Sequence, residues 1–269
     1  MTIDSLHPPV QGRTASKAGN QPVLDAVGVV AGYGGKTILQ RLDLQVRAGE
    51  IYALLGANGA GKTTTVSLFL GFVAPVAGTV KVSGFDPVTE PAQARRHLAY
   101  IPENVALYEH LTARENVGYL LHLAGQQEDP AAIDLALAAA GLDAAAFDRR
   151  VAGFSKGMRQ KVAIGLALAR KVPALLLDEP TSGLDPQATS EFNRLLGVLR
   201  AQGVAILMVT HDLLSAADVA DRIGFLEAGR LREEVAAAGD DRFDVRALHR
   251  RYAAQSATSA PSAPSAEAA

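Results

Sequence analysis

Leu42, Leu44 and Val46 alternate with Asp43 and Gln45, a period of two that predicts a half-buried strand ending in a turn at residues 47–50. Ile51 to Leu55 is different: five apolar or aromatic residues in unbroken succession, running straight into glycines. That pattern predicts a strand covered on both faces. Residues 62–70 predict a helix stopped at Gly71, then a turn at 75–78 and a short strand at 79–82. From about 86 to 170 helical spacing dominates, with helices expected at 112–124, 130–140 and 156–170 and only 99–101 extended. Beyond it, 174–177 and 204–209 predict buried strands on either side of a helix at 186–201, and 222–227 with 230–233 predict a hairpin.

Strands and helices in alternation argue for an α/β sheet covered by helices. The expected layout is a disordered leader at 1–20, one domain at 21–238 with a helical insertion at about 86–170, a short C-terminal helix at 239–252, and a disordered Ala/Ser/Pro tail at 253–269. No internal repeat interrupts this plan.

Composition narrows the function. With 269 residues and 48% hydrophobic content the chain can bury a substantial core. Its net charge of 26 − 28 = −2 provides no basic field, so nucleic acid is not an expected partner. The absence of cysteine excludes disulfides and thiolate metal sites. No apolar run nears the roughly eighteen residues of a membrane-spanning helix, so a cytoplasmic protein is expected.

The chemistry begins where the buried strand ends. Gly56-Ala57-Asn58-Gly59-Ala60-Gly61-Lys62-Thr63 fits the phosphate-loop pattern GxxxxGK[ST], set between a strand and a helix as that pattern requires. Glycines let successive N–H groups turn towards phosphate oxygens, and the helix N-terminus adds partial positive charge. Lys62 would reach the β- and γ-phosphates of ATP, Thr63 would ligate Mg2+, and Thr64 would face the α-phosphate. Kinases, GTPases and transport ATPases all remain open at this point.

Asp178 and Glu179 end the apolar run 174–177. A carboxylate suited to the Mg2+ shell, followed directly by one suited to deprotonate water, is what hydrolysis needs. Upstream, Phe154-Ser155-Lys156-Gly157-Met158-Arg159-Gln160 resembles the signature motif of the ABC ATPase family. The resemblance covers residues 23 to 235 and implies a P-loop NTPase of ABC type: a mixed sheet core, an antiparallel β subdomain and an inserted helical subdomain.

The resemblance also implies roles. Ser155 and Gly157 would present donors to ATP held by a second ABC ATPase chain, expected as a homodimer, and Asp185 would lie in the loop through which the two chains communicate. His211, in Val209-Thr210-His211-Asp212, matches the switch histidine, and Tyr33 the aromatic that stacks on adenine. Glu103 stands where the family usually has glutamine beside the metal; glutamate would ligate Mg2+ more strongly while its charge opposed the phosphates. Lys156 and Met158 depart from the commonest glycine and glutamine. The implied function is ATP hydrolysis that powers transport, of the bacterial exporter type, through separate membrane permease subunits, with the chain peripheral on the inner face of the cell membrane. The rival is a soluble ABC-type ATPase acting on a macromolecular complex; a single cassette without cysteines or sustained heptads argues against it.

Overall fold

A computed structural model describes residues 21–127, 129–239 and 242–250. The chain runs through β1 (Leu24–Tyr33), β2 (Lys36–Val46), β3 (Ile51–Leu55), α1 (Lys62–Phe69), β4 (Ala77–Val82), α2 (Pro91–Arg96) and β5 (Leu98–Ile101). The helices α3 (Ala113–Leu123), α4 (Pro130–Ala139) and α5 (Lys156–Ala169) follow. Strand and helix then alternate through β6 (Ala174–Asp178), α6 (Pro186–Ala201), β7 (Ala205–Thr210), α7 (Leu213–Val219), β8 (Arg222–Glu227) and β9 (Arg230–Ala236).

The strands form a three-stranded antiparallel sheet, β2-β1-β4, and a six-stranded sheet, β5-β6-β7-β3-β8-β9, parallel except for β9. All five residues of β3 are fully buried, and alternation sends them to two cores. Ile51, Ala53 and Leu55 pack with Leu175, Leu177, Ile206 and Met208 under α5 and α6. Tyr52 and Leu54 pack with Leu176, Leu207 and Val209 against the antiparallel sheet, including Leu24, Leu42 and Leu44. Each such leucine or isoleucine contributes about 1.5–3 kcal/mol by burial, so the strand feeding the phosphate loop is firmly anchored.

A third core lies among the helices. Ala113, Val117 and Leu121 of α3 recur every fourth residue and meet Ile133 and Leu137 of α4 and Val162 of α5. The start of α3 is fixed by a capping box in which Thr112 and Glu115 each bond the other's main-chain N–H. Arg114 of α3 pairs with Asp134 of α4 at 2.7 Å, joining the two helices across their exposed side.

Several expectations need correction or completion. Leu98–Ile101 falls within 86–170, yet it pairs in parallel with β6 and so belongs to the main sheet. The span read as one helical insertion is therefore divided, and the helical cluster begins after β5. Four residues are too few for periodicity to reveal that both faces are covered. The alternation does not predict β1, because register shifts between Ala26 and Val30 and between Ala31 and Gly32 break it. The seven-residue α7 was likewise too short to show a helical period. Residues 245–250 are helical, inside the expected 239–252. The expected leader and tail lie outside the described residues.

Candidate active site

Strand register gathers the chemistry at one edge. In the parallel neighbours β6-β7-β3, Leu55 lies opposite Thr210 and Asp178 opposite Val209. The phosphate loop, Glu179 and His211 each follow directly on one of these strand ends, at the carboxyl edge where open α/β sheets bind ligands.

The loop's shape is set by close packing. A Cβ on Gly56 would lie 2.6 Å from the Leu226 carbonyl oxygen, and one on Gly61, at φ +113°, would lie 2.7 Å from Leu39 Cδ2. A side chain at 56 would collide with main chain, and one at 61 would be strained by the positive φ and would crowd Leu39. Gly61 caps α1, whose first turn contains no acidic residue, so the helix's positive end is left to serve an anion. Asn58, Gly59, Gly61, Lys62, Thr63 and Thr64 line a cavity of about 410 Å³. Ala60 does not: it is buried in the core beside the antiparallel sheet, and its N–H donates to the Ala57 carbonyl. It shapes the loop instead of facing the cavity.

The Lys62 ammonium is 8% exposed, donates to the Gly56 carbonyl at 2.7 Å and lies 3.7 Å from Glu179 Oε1. The other Glu179 oxygen, Oε2, accepts from the Thr210 hydroxyl at 3.0 Å and the His211 main-chain N–H at 3.2 Å, and lies 2.8 Å from His211 Nδ1. A carboxylate only accepts, so this approach is favourable when Nδ1 carries the proton. Glu179 itself sits at φ +45°, a strained conformation for a side-chain-bearing residue, held by its N–H to the Val209 carbonyl at 2.9 Å.

Asp178, Glu103 and Tyr33 line the same cavity. Burial raises the Asp178 pKa and the charges of Glu179 and Glu103 add to that, while the Tyr100 hydrogen bond and Lys62 oppose it. Tyr100 donates to Asp178 Oδ2 at 3.2 Å, and burial together with Asp178 pushes its own pKa to about 12, so it stays a donor. Tyr33, at the end of β1, is 52% exposed and presents its ring at the cavity rim.

Ser155, Gly157 and Asp185 are elsewhere. They line a second cavity of about 300 Å³ between α5 and α6. Ser155 caps α5 by accepting from the Met158 N–H at 3.3 Å, and Asp185 caps α6 by accepting from the Ala188 N–H at 2.9 Å.

Sequence reading missed three participants. Thr210 carries a hydroxyl immediately before His211, a position that could have been flagged once His211 was. Tyr100 reaches Asp178 only because β5 lies beside β6, which no local pattern reveals. Gln160 is fully buried and donates to the Pro180 carbonyl at 2.5 Å, tying α5 to the segment after Glu179.

A phosphate loop after a buried strand, with a carboxylate pair and a histidine on the adjoining strand ends, defines a nucleotide-hydrolysing P-loop protein. The model of the ABC transporter family matches residues 39–182, and the chain belongs to that family as an ATP-binding, ATP-hydrolysing subunit. It is 34% identical over 229 residues to the uncharacterized ABC transporter ATP-binding protein YdbJ of Bacillus subtilis, covering 85% of this chain and 74% of that one. It is also 34% identical over 212 residues to the linearmycin resistance ATP-binding protein LnrL of the same organism, covering 78% and 68%. A solved dimeric structure, the post-hydrolysis state of the ATP-binding cassette MJ0796 bound to ADP and Pi, superposes with a TM-score of 0.70 at 25% identity, over 80% of this chain and 99% of that one.

Proposed function

We propose that Glu179 is the general base for ATP hydrolysis, that His211 positions it, and that the chain works as one half of a head-to-tail pair docked on separate membrane permease subunits. The observation that carries this reading is the setting of Glu179. One oxygen is fixed by Thr210 and His211, and the other faces Lys62 across the phosphate-loop cavity. A carboxylate so restrained can hold a water against the γ-phosphate and take its proton, with the Thr210 hydroxyl and the His211 main-chain N–H keeping its other oxygen in place.

The residues present fit Mg2+. Thr63 and Asp178 border one cavity with Glu103, and among the described residues no cluster of three or more His, Asp or Glu side chains forms a complete metal cage. Mg2+ characteristically takes one or two protein oxygens and completes its shell with phosphate and water. When bound, it would neutralise the β- and γ-phosphate oxygens; Thr63 and Asp178 would hold it, and Tyr100 would orient Asp178.

Gly157 supports the paired arrangement. A Cβ there would meet nothing closer than Leu184 Cδ2 at 3.7 Å, an ordinary contact, and its φ is not in the left-handed region. Nothing in its own chain demands a glycine, which fits a backbone kept bare for a second chain's nucleotide. No helix of the described residues is long and apolar enough to cross a membrane, in keeping with a peripheral subunit at the inner face whose permeases are other chains. LnrL is named for linearmycin resistance, and resistance fits outward transport.

The deciding experiment is Glu179→Gln. ATP binding is retained, turnover falls on the order of 10²–10⁴-fold, and an ATP-dependent dimer accumulates on size-exclusion chromatography. Undiminished turnover would refute the assignment.

A further inference from the structure

Two of the three departures from the family pattern, at residues 103 and 156, meet in space. Lys156 Nζ lies 3.8 Å from Glu103 Oε1, and the Ser182 hydroxyl donates to that same oxygen at 3.0 Å. The ammonium also donates to the Ser182 carbonyl at 2.5 Å. Three segments far apart in sequence thus converge: the turn after β5, the first residue of α5, and the loop between β6 and α6.

Charge explains why these two side chains would occur together. Among the described residues lining the phosphate-loop cavity, Glu103, Asp178 and Glu179 supply three carboxylates against the single ammonium of Lys62. ATP brings several further negative charges to that place. A neutral glutamine at 103 would add nothing to the repulsion, whereas Glu103 does, and its charge is felt as far as Asp178. Lys156 is not among the residues lining that cavity, yet its ammonium lies 3.8 Å from the surplus carboxylate.

We propose that Lys156 is a positioning residue for Glu103, holding its carboxylate against Ser182 and offsetting its charge so that the cavity accepts ATP. The inference rests on the reading of Glu103 as part of the nucleotide site. The contact also has a mechanical side. Gln160 lies one helical turn beyond Lys156 and grips the Pro180 carbonyl, so α5 holds the 180–182 segment at two points, and Lys156 extends that hold to Glu103. Movement of Glu103 towards a ligand would therefore be felt at the start of α5, where Ser155 and Gly157 lie.

The test is a double-mutant cycle on the full chain with Lys156→Gln, Glu103→Gln and the combined variant, reading the Kd for ATP with Mg2+ by equilibrium displacement of a fluorescent nucleotide. The side chains are 27% and 46% exposed, so the pair is worth what exposed ion pairs are worth. Lys156→Gln should weaken binding about two- to fivefold at low salt. Adding Glu103→Gln should restore the wild-type Kd to within about twofold, Lys156→Arg should bind as wild type, and the defect should fade near 1 M salt. A purely structural lysine would produce no rescue and no salt dependence. Single-variant effects that simply multiply, or a Lys156→Gln protein with unchanged Kd, overturn the inference while leaving ATP binding through Lys62 intact. If Glu103→Gln leaves both the Kd and its Mg2+ dependence untouched, the reading of Glu103 fails, and the inference with it.

Discussion

The phosphate-loop corner and the signature segment carry the two most specific motifs of the chain, but they are built in opposite ways. At the corner, Lys62 is almost fully buried, and Glu179 is held from Thr210, His211 and Lys62 at once. Changing one group there disturbs the others. At the signature segment, Ser155 and Asp185 cap their helices, and among the described residues Gly157 has room for a Cβ. The corner is closed by contacts within its own chain, while the signature, on the proposed pairing, is a surface whose chemistry needs a second chain. Residues that make up a complete site show it in their mutual contacts; residues of half a site show only what their own fold asks of them.

The largest expected effect would break the corner. His211→Ala removes the 2.8 Å contact to Glu179 and should lower kcat on the order of 10²–10³-fold. The ATP Kd should stay within about threefold, and equal losses in both would show that His211 binds instead of positioning. Lys62→Ala should weaken ATP binding about a hundredfold, as loss of a charged contact to phosphate would; isothermal titration reads this directly.

Gly157→Asp sharpens the contrast, because its effects on fold and function should have opposite signs. A carboxylate in the first turn of α5 favours the helix dipole, so the melting temperature should hold or rise. Nucleotide binding by the isolated chain should be unchanged. Turnover, if the proposed pairing sets this surface against a second nucleotide, should fall at least about tenfold through repulsion of phosphate. Full turnover in a variant shown to dimerise would remove the signature from the mechanism.

The smallest effect concerns Asp178. A carboxyl whose pKa is raised on folding adds stability below its unfolded pKa and loses that contribution as pH rises through the raised value. At neutral pH the buried carboxylate is therefore a cost that function retains. Asp178→Asn should melt at or above the wild-type temperature at pH 7, with the advantage gone below about pH 4. A clear drop in melting temperature at pH 7 would mean that its hydrogen bond with Tyr100 outweighs its burial.

Much of this molecule could be read locally. The buried run Ile51 to Leu55, the GxxxxGK[ST] loop after it and the carboxylate pair after 174–177 are contiguous patterns, because a strand, a phosphate cradle and a strand-end acid are each made by neighbours in sequence. α6 matched its predicted limits because a capping aspartate and Pro186 mark its start. What escaped depended on partners distant in the chain. β5 counts as part of the core only because β6 lies beside it, and Tyr100 becomes a partner of Asp178 for the same reason. Ala60 has the place of a phosphate-facing residue in the motif and the surroundings of a core residue in space.

The sequence by itself determined the motor chemistry, since each motif is a run of adjacent residues whose spacing the backbone fixes. Only the tertiary structure decided how those motifs lean on one another: that Glu179 is held by Thr210 and lies against His211, and that the unusual Glu103 and Lys156 lie beside each other and both bond Ser182. Those facts arise from strand order and helix packing, and contacts across 53 or 79 residues of chain carry no local signature.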